Sequence, residues 1–358
     1  MSLPPAPLSF NPHYEEKIWG GRRLATHLGK DLPEKGTFGE SWELSAVKDA
    51  QTFVSDGPLG DTSLGTLYAN SPVELVGRHA AAYPGFPLLI KFIDAHDRLS
   101  IQVNPDDRTA RERYGEPFGK TECWYIVDAG TNGKIGIGLR KQLTRKELRE
   151  SAESGAIEDL LNTVRVKTGE IYFIPAGTIH AILGDLLIYE VQQNSNTTFR
   201  LYDWKRTDAA GKPRPLHLHD SVACADLTAN KNYLIEPVEL YSETYRRMLR
   251  VACSYFAIEE FITKRQTRLK LDPVASCRII TVLSGSISLH WTSGSRTAKQ
   301  GQTLLLPAIL SDMMVDTLED GCRFLLTIIP AGYDEFAARL IGKGCTSEQI
   351  AALRYGNP

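Results

Sequence analysis

The chain has 358 residues, with 41 basic side chains, 43 acidic side chains and a formal net charge of -2. Hydrophobic residues make up 42% and charged residues 23%, as in ordinary folded proteins, which excludes a disordered or collagen-like chain. At roughly 150 residues per domain, the length favours two globular domains. The charges are balanced and form no long runs of one sign, which argues against nucleic acid or a membrane surface as a partner and favours a small molecule.

The N-terminal segment MSLPPAPLSF lacks the cationic and apolar regions of a signal peptide, and no stretch of about 18 apolar residues occurs. We therefore expect a cytoplasmic protein, either a monomer or a small homo-oligomer. The cysteines are scattered without a Cys-x-x-Cys pair, at Cys123, Cys224, Cys253, Cys277, Cys322 and Cys345. Their spacing argues against a zinc knuckle, a redox dithiol or a disulfide framework, and it predicts free thiols.

Short runs rich in β-branched and aromatic residues, separated by turns, predict antiparallel strands rather than βαβ units. In chain order the predicted strands cover residues 87–94, 98–104, 122–129, 134–139, 170–176 and 186–193. A helix is predicted over 144–164, where Thr144 and Glu147 form a capping box, within a helical insertion at about 142–165. A second helix is predicted over 334–342.

The two halves of the chain resemble each other. The run WYIVDAGTNGKIGIGL, followed later by GEIYFIPAG, is similar to RIITVLSGSISLHW followed by GQTLLLPAI. Each copy contains a strand, a glycine turn and a strand, and then a Gly-x5-Pro segment. A repeat of this kind predicts two β-barrels in tandem, with short strands wrapped as jelly rolls.

The segment from Gly169 through Pro175 and Gly177 to His180 matches the second signature of the cupin barrels, with Gly184 where that signature ends in Asn. Glycine and proline make the tight turn, and the histidine on the next strand points into the barrel. The second copy has no histidine after its proline. The sequence therefore predicts a mostly β protein of tandem cupin (jelly-roll) barrels, with a catalytic domain at 1–230 and a metal-free barrel with a C-terminal helix at 231–358.

A metal in such a barrel needs further ligands from the preceding strands. Gln102 and Asn104 lie two residues apart and so share one face of a strand. Glu122 opens the next long strand and is the natural carboxylate ligand.

Other histidine and glycine patterns in the sequence are weaker candidates for a binding site. His96 is more typical of an exposed turn than of a ligand, whereas His217 and His219 form a His-x-His pair that would seat a metal on a strand, without the barrel glycines. The glycine pattern at 133–138 lies in a hairpin rather than between a strand and a helix, which argues against a dinucleotide site.

Longer phrases between about residues 10 and 220 resemble type I mannose-6-phosphate isomerases of the short bacterial form. These phrases are IWGGRRL, GESWELS, PLLIKFIDAHDRLSIQVNPDD, GKTECWYIVDA, PAGTIHAILGDLLIYEVQQNSNTTFRLYDWKR and GKPRPLHL. The resemblance implies a zinc ion held by Gln102, position 104, Glu122 and His180. The family has His where this chain has Asn104. An amide oxygen in place of an imidazole favours harder divalent ions or weaker zinc binding.

The resemblance also implies a phosphosugar pocket. It places Lys91 and Ser100 near the substrate phosphate, where a cation and a hydroxyl donor suit a dianion. It places Lys120, Glu190 and Arg200 at the sugar. Moving a proton between C1 and C2 through a cis-enediol requires a base, a second proton carrier and cations facing the oxyanion, and these three residues supply those types. Which of them is the base stays open.

These observations predict a metal-dependent isomerase that interconverts mannose 6-phosphate and fructose 6-phosphate, with one divalent metal, preferably zinc. Two alternatives stay open. One is a cupin weakened in metal binding by Asn104, which binds a sugar phosphate as a sensor or regulatory partner; the other is an isomerase of a related sugar. The resemblance also covers Trp19, Glu40 and Trp42, for which packing of the first strands is favoured over lining of the pocket.

Overall fold

The computed structural model describes residues 3–207, 211–240 and 243–353. The strands of the first part are β1 (Leu8–Asn11), β2 (His13–Gly21), β3 (Phe38–Leu44), β4 (Phe53–Val54), β5 (Leu88–Ala95), β6 (Ile101–Val103), β7 (Glu122–Ala129), β8 (Lys134–Leu139), β9 (Leu161–Arg165), β10 (Ile171–Ile174), β11 (His180–Ile182), β12 (Leu186–Gln193) and β13 (Phe199–Tyr202). Those of the second part are β14 (Val238–Leu240), β15 (Tyr245–Ala252), β16 (Ala257–Thr263), β17 (Arg268–Lys270), β18 (Arg278–Ser284), β19 (Ser286–Trp291), β20 (Gly294–Lys299), β21 (Thr303–Leu306), β22 (Met314–Thr317) and β23 (Arg323–Ile328).

The helices are short and lie between these strands or at the C-terminal end of the described chain. They are α1 (Arg23–Thr26), α2 (Leu64–Asn70), α3 (Pro72–Val76), α4 (Asp107–Thr109), α5 (Arg145–Ser154), α6 (Ile157–Leu160), α7 (Leu218–Cys224), α8 (Tyr333–Ile341) and α9 (Ser347–Ala352). The C-terminal helix predicted over 334–342 is α8. In the described part of the chain, no helix is both long and apolar enough to cross a bilayer. All six cysteines are free thiols, as predicted.

Two sheets form each barrel. The first barrel has a six-stranded sheet in the order β10-β7-β12-β5-β3-β2 and a five-stranded sheet in the order β13-β6-β11-β8-β9. The second has an eight-stranded sheet, β14-β15-β16-β23-β18-β21-β1-β4, and a four-stranded sheet, β17-β22-β19-β20. The prediction of a mostly β, tandem-barrel fold is confirmed. The N-terminal strand β1 pairs with β21, so the start of the chain completes a sheet of the second barrel.

The internal repeat is visible in the strand pairing. Strand β7 pairs with β10, and β18 pairs with β21 in the same antiparallel manner. Glu122 lies opposite Ile174, and Arg278 lies opposite Leu306; each partner directly precedes the proline of its Gly-x5-Pro segment. Glu122 and Arg278 therefore occupy corresponding positions in the two barrels.

The six-stranded sheet is buried on both faces. On β7, Trp124 and Ile126 belong to the core inside the first barrel. Cys123 and Tyr125, which alternate with them, belong to the core shared with the second barrel. Since side chains alternate along a strand, every second residue of this sheet faces the barrel interior, where a site can form.

The helix predicted over 144–164 is correct only in its first part. The capping box of Thr144 and Glu147 is present, but the helix ends before Gly155, which has a φ of 92°. Residues 161–165 form β9, which pairs with β8 and is the edge strand of the five-stranded sheet. The backbone groups of this segment find partners on the sheet edge, and β-branched residues suit that pairing better than a helix.

Candidate active site

The two sheets of the first barrel enclose a polar cavity of about 280 Å³. The residues that line it come from both sheets and from the loops before β6, before β7 and on either side of β13: Lys17, Trp19, Glu40, Lys91, Ile93, Leu99, Ser100, Gln102, Lys120, Trp124, Ile182, Glu190, Asn196, Thr198, Arg200 and Arg214. Six of the residues predicted from the sequence are among them: Lys91, Ser100, Gln102, Lys120, Glu190 and Arg200.

Strand register brings together three predicted residues on the five-stranded sheet. Arg200 on β13 pairs with Gln102 on β6, and Gln102 pairs with His180 on β11. His180 is fully buried. Its Nδ1 lies 2.8 Å from the carbonyl oxygen of Thr178, a contact in which Nδ1 donates its proton. That hydrogen bond leaves Nε2 with a lone pair for a ligand.

The side chain of Glu122 reaches His180 from the opposite sheet. Its Oε1 lies 3.1 Å from His180 Nε2, and the amide nitrogen of Gln102 lies 3.1 Å from the same Nε2. A half-turn of that amide exchanges its nitrogen and oxygen, so Gln102 offers an oxygen to the same point. The three predicted ligands therefore converge on one end of the cavity.

The polar groups around Glu122 fit a cation. Glu122 is fully buried, with Lys120 Nζ 3.1 Å from its Oε2 and the ring of His180 3.1 Å from its Oε1. Asn104, two residues beyond Gln102, is only 1% exposed, and among the described residues neither of its side-chain polar atoms has a hydrogen-bond partner. Carboxylate, amide oxygen and imidazole are all ligands of divalent ions, so this donor set fits a divalent ion. Across the described ranges, no three His, Cys, Asp or Glu residues form a metal-binding group, so a metal here also needs the amides.

Charge neighbours set the ionisation of Glu122. Burial opposes ionisation of this carboxyl, but the positive charge of Lys120 and the contact with the His180 ring outweigh it and lower the pKa to about 2. Lys120 Nζ lies 3.1 Å from Glu122 Oε2 and donates to Thr198 Oγ1 at 3.2 Å. Glu122 therefore stays anionic throughout the physiological range.

The six-stranded sheet carries a second polar row, in which Glu190 pairs with both Trp124 and Lys91. Trp124 Nε1 donates to Glu190 Oε1 at 2.8 Å. Lys91 Nζ lies 3.5 Å from Glu190 Oε2 and 3.4 Å from Glu40 Oε2, and it lies 4.5 Å from the centre of the Trp42 ring. The charge of Lys91 is thus balanced by two carboxylates.

The pKa values of Glu190 and Lys91 are both raised, for different reasons. Burial and the negative charge of Glu122 raise the pKa of the Glu190 carboxyl. Burial disfavours the charged form of Lys91, but Glu40 and Glu190 outweigh it and raise the pKa of the amine. Glu190 therefore holds a proton more readily than an ordinary glutamate, while Lys91 stays charged.

The alternative histidine site does not form. His217 precedes α7 rather than lying on a strand, and its Nδ1 accepts the backbone amide of Arg200 at 3.0 Å. His219 lies in α7 with its side chain 80% exposed. His96 is exposed in the turn after β5. The expected strand is replaced by a helix because the segment packs beside β13 instead of joining a sheet.

Several lining residues were missed or assigned differently from the sequence. Trp19 and Glu40, for which packing was favoured, line the cavity. Trp124 was not singled out, although it lies two residues after Glu122 and so shares its face of β7. Thr198 and Arg214 come from loop segments, whose positions carry no periodic signal.

The fold is that of a two-barrel cupin protein with Gln, Glu and His converging in the first barrel, and comparisons with known proteins identify the family. Residues 8–143 match the family model of the phosphomannose isomerase type I catalytic domain. The mannose-6-phosphate isomerase of Streptococcus mutans is 34% identical over 310 residues, which cover 87% of this chain and 95% of that protein. Mannose-6-phosphate isomerase ManA of Bacillus subtilis is 34% identical over 313 residues, covering 87% and 96%.

A solved structure agrees with this assignment. The crystal structure of the mannose 6-phosphate isomerase from Bacillus subtilis matches with a TM-score of 0.82 and 31% identity, covering 90% of this chain and 100% of that one. The chain therefore belongs to the type I phosphomannose isomerase family. It is an isomerase, as the sequence predicted, and enzymes of this family are generally metal-dependent.

Proposed function

We propose that this chain interconverts mannose 6-phosphate and fructose 6-phosphate through a cis-enediol, with a divalent ion, preferably zinc, at Gln102, Asn104, Glu122 and His180. The observation that carries the proposal is the convergence of Gln102, Glu122 and His180 at one end of a polar cavity. When bound, the ion orients the substrate hydroxyls and polarises the enediol oxygens as a Lewis acid.

The residues around the proposed metal site have different roles in the reaction. Glu190 is suited to moving the proton between C1 and C2, because burial and Glu122 raise the pKa of its carboxyl and Trp124 fixes one of its oxygens. Lys120 and Arg200 supply positive charge where the oxyanion develops. Lys91 and Ser100 line the same cavity and are suited to the substrate phosphate, as a cation and a hydroxyl donor.

Metal content and activity test the proposal together. The purified protein is expected to contain a divalent ion and to isomerise mannose 6-phosphate, and both properties should be lost on chelation and restored by zinc. Glu122→Gln keeps the shape but removes the charged ligand. We expect it to lower turnover by more than the ~10–100-fold typical of changes around a metal's ligands.

The matched control is Glu147→Gln, the same substitution in the exposed capping box of α5, where glutamine also serves. It should leave metal content and turnover unchanged. A metal-free preparation with full isomerase activity would refute the metal-site proposal.

A second candidate function rests on Asn104, which stands where the family has a histidine. A protein with weakened metal affinity that binds a sugar phosphate without turning it over would serve as a sensor or regulatory partner. Such a protein would bind mannose 6-phosphate but show no isomerisation at any zinc concentration.

A further inference from the structure

A second polar space, a cleft between the two barrels, lies apart from the cavity of the first barrel. The cleft has a volume of about 470 Å³, against about 280 Å³ for that cavity. Strands β2 and β3 of the first barrel line one side of it, and strands β20 and β21 of the second barrel line the other. A concave space of this size is typical of sites for small molecules.

Strand β3 separates the cleft from the cavity that holds the proposed metal site. Glu40 on this strand lines the cavity, whereas Glu43 lines the cleft. Because side chains alternate along a strand, Glu43 and Ser41 face away from Glu40 and Trp42. No described residue lines both spaces. A ligand in the cleft would therefore occupy a site distinct from the substrate cavity.

The less exposed charges of the cleft are paired with one another. Lys30 Nζ lies 2.6 Å from both carboxylate oxygens of Glu43, which is 3% exposed and also accepts from the Ser41 hydroxyl at 2.6 Å. Arg296 donates to Asp56 Oδ1 at 2.8 Å. These ionic groups satisfy one another, so a ligand would have to compete with a charged partner for each of them.

The charge of the cleft as a whole is balanced. Three cations and three anions line it: Lys30, Arg296, Lys299, Asp31, Glu43 and Asp56. An incoming anion or cation thus finds no excess of opposite charge to attract it. The cleft is better suited to an uncharged ligand.

The uncharged polar side chains of the cleft offer hydrogen bonds that the protein does not use. Four of them have no side-chain hydrogen-bond partner within the described ranges: Asn11, Tyr14, Ser55 and Thr297. Burial and the negative charges of Glu43 and Asp31 raise the pKa of the Tyr14 hydroxyl to about 12, so this group keeps its proton. Three hydroxyls and one amide are therefore available to a ligand as both donors and acceptors.

We propose that the cleft between the barrels is a second ligand site, which binds a neutral polyhydroxylated compound such as a free sugar. Sugar hydroxyls both donate and accept hydrogen bonds, as the free groups of the cleft do. The ring of Tyr14 adds an apolar surface for the C–H groups of a sugar, with the hydroxyl at its edge. This site goes beyond the proposed function, because its ligand contacts none of the residues assigned to the reaction.

The test measures the binding of D-mannose, an uncharged sugar, by calorimetric titration into the full-length protein. Thr297→Trp places an indole in the cleft from an exposed position of β20, where a strand tolerates an aromatic residue. We expect it to weaken mannose binding by about tenfold or more, since the indole fills the space of the sugar. Ser295→Trp is the matched control, because Ser295 is exposed on the same strand but does not line the cleft. It should stay within about twofold of the wild type.

A second pair of variants removes a single hydroxyl without filling the cleft. Tyr14→Phe should weaken mannose binding by about fivefold, the effect of one lost hydrogen bond. Tyr245→Phe is its control, since Tyr245 is also half-buried and lacks a side-chain hydrogen bond within the described ranges, but it lies outside the cleft. The two rings have similar surroundings: Tyr14 lies 6.4 Å from the ring of Phe38, and Tyr245 lies 5.9 Å from that of Phe261.

Circular dichroism verifies that each variant is folded. Unchanged mannose binding in Thr297→Trp or Tyr14→Phe, an equal loss in either control, or no mannose binding by the wild type would overturn the inference. A loss in Glu122→Gln with none in Thr297→Trp would also overturn it, since the sugar would then lie in the first barrel's cavity. The titration needs no turnover. Mannose binding in the cleft of an inactive wild type would refute the proposed function and retain the site, and an active isomerase that binds no mannose would do the reverse.

Discussion

At the scale of single residues, Asn104 distinguishes this chain most clearly from the pattern of its family. Its backbone carbonyl accepts the amide of Gly177 at 2.9 Å, which ties the end of β6 to the turn before His180. Its side chain is buried, and within the described residues neither polar atom has a partner. Burying an unsatisfied amide is costly, which supports the proposed role of Asn104 as a metal ligand.

Restoring the family residue tests that role. Asn104→His is expected to raise zinc affinity by about tenfold or more, because an imidazole nitrogen is a better zinc ligand than an amide oxygen. The measurement is zinc affinity by competition with a chelating dye, combined with mannose 6-phosphate turnover at saturating zinc.

Turnover then separates the two candidate functions. The proposed isomerase should lose activity or change little, because Asn104 is adapted to its metal, whereas the sensor hypothesis requires a large gain. Asn132→His, in the exposed turn between β7 and β8, is the matched control and should change neither quantity. Unchanged zinc affinity in Asn104→His would show that position 104 is not a ligand.

At the scale of elements, the end of α5 depends on one glycine. Gly155 has a φ of 92°, a left-handed conformation that residues with a Cβ rarely adopt. A Cβ built there would lie 3.0 Å from the hydroxyl of Tyr202, which donates to Glu158 in α6. The chain can therefore turn from helix α5 towards α6 and β9 only because this position lacks a side chain.

Gly155→Ala should lower the free energy of unfolding by about 1–2 kcal/mol, through backbone strain and the close approach to Tyr202. Urea denaturation followed by circular dichroism measures the effect. Gly342→Ala is the control, since Gly342 follows α8 with a φ of -59° and its Cβ would meet no atom closer than 3.5 Å. If both variants unfold at the same urea concentration, the account of the α5 terminus is wrong.

The two copies of the internal repeat differ at the position of Glu122. Arg278, which corresponds to Glu122, is almost completely buried, and its guanidinium donates to the carbonyl oxygens of Leu310, Ser311 and Asp272. A positive side chain thus occupies the barrel position at which the first copy carries the carboxylate. The same strand framework carries a buried carboxylate in one barrel and a buried guanidinium in the other.

At the scale of the whole molecule, the two barrels share one core. The outer face of the six-stranded sheet packs in the same hydrophobic cluster as the eight-stranded sheet of the second barrel. Two buried hydrogen bonds cross this interface: Tyr125 donates to Glu260 Oε1 at 2.6 Å, and Thr281 donates to the hydroxyl of Tyr189 at 3.1 Å. The division of the chain at residue 230 stays a prediction, and this interface indicates that the two parts stabilise each other.

Tyr125→Phe should destabilise the protein by about 1–3 kcal/mol, because the buried carboxylate of Glu260 loses a hydrogen-bond donor. Tyr172→Phe is the matched control, since that hydroxyl also donates to a glutamate, Glu170, but at the partly exposed end of the same sheet. We expect a single cooperative unfolding transition with a lower midpoint for Tyr125→Phe alone. Two separate transitions in the wild type would contradict a shared core.

Much of the proposed site was predictable because its residues follow local rules. The Gly-x5-Pro turn places His180, and strand alternation places Gln102 and Asn104 on one face. Glu122 follows from the start of a strongly β segment. Strand alternation also places Trp124 on the same face as Glu122. Aromatic residues in buried strands most often pack in the hydrophobic core, however, so the sequence offered no reason to distinguish Trp124 from Ile126.

The sequence by itself determined the strands, the tandem barrels and the residues of the proposed metal site, because side-chain alternation and turn chemistry are local properties of the chain. Only the tertiary structure decided that Leu8 lies opposite Leu305, that residues 161–165 leave the helix for a sheet edge, and that Arg214 stands beside Arg200. These placements depend on which distant segment supplies hydrogen bonds to the edge of a strand, or packs beside a charged side chain. Such contacts between remote parts of the chain leave no periodic trace in the sequence.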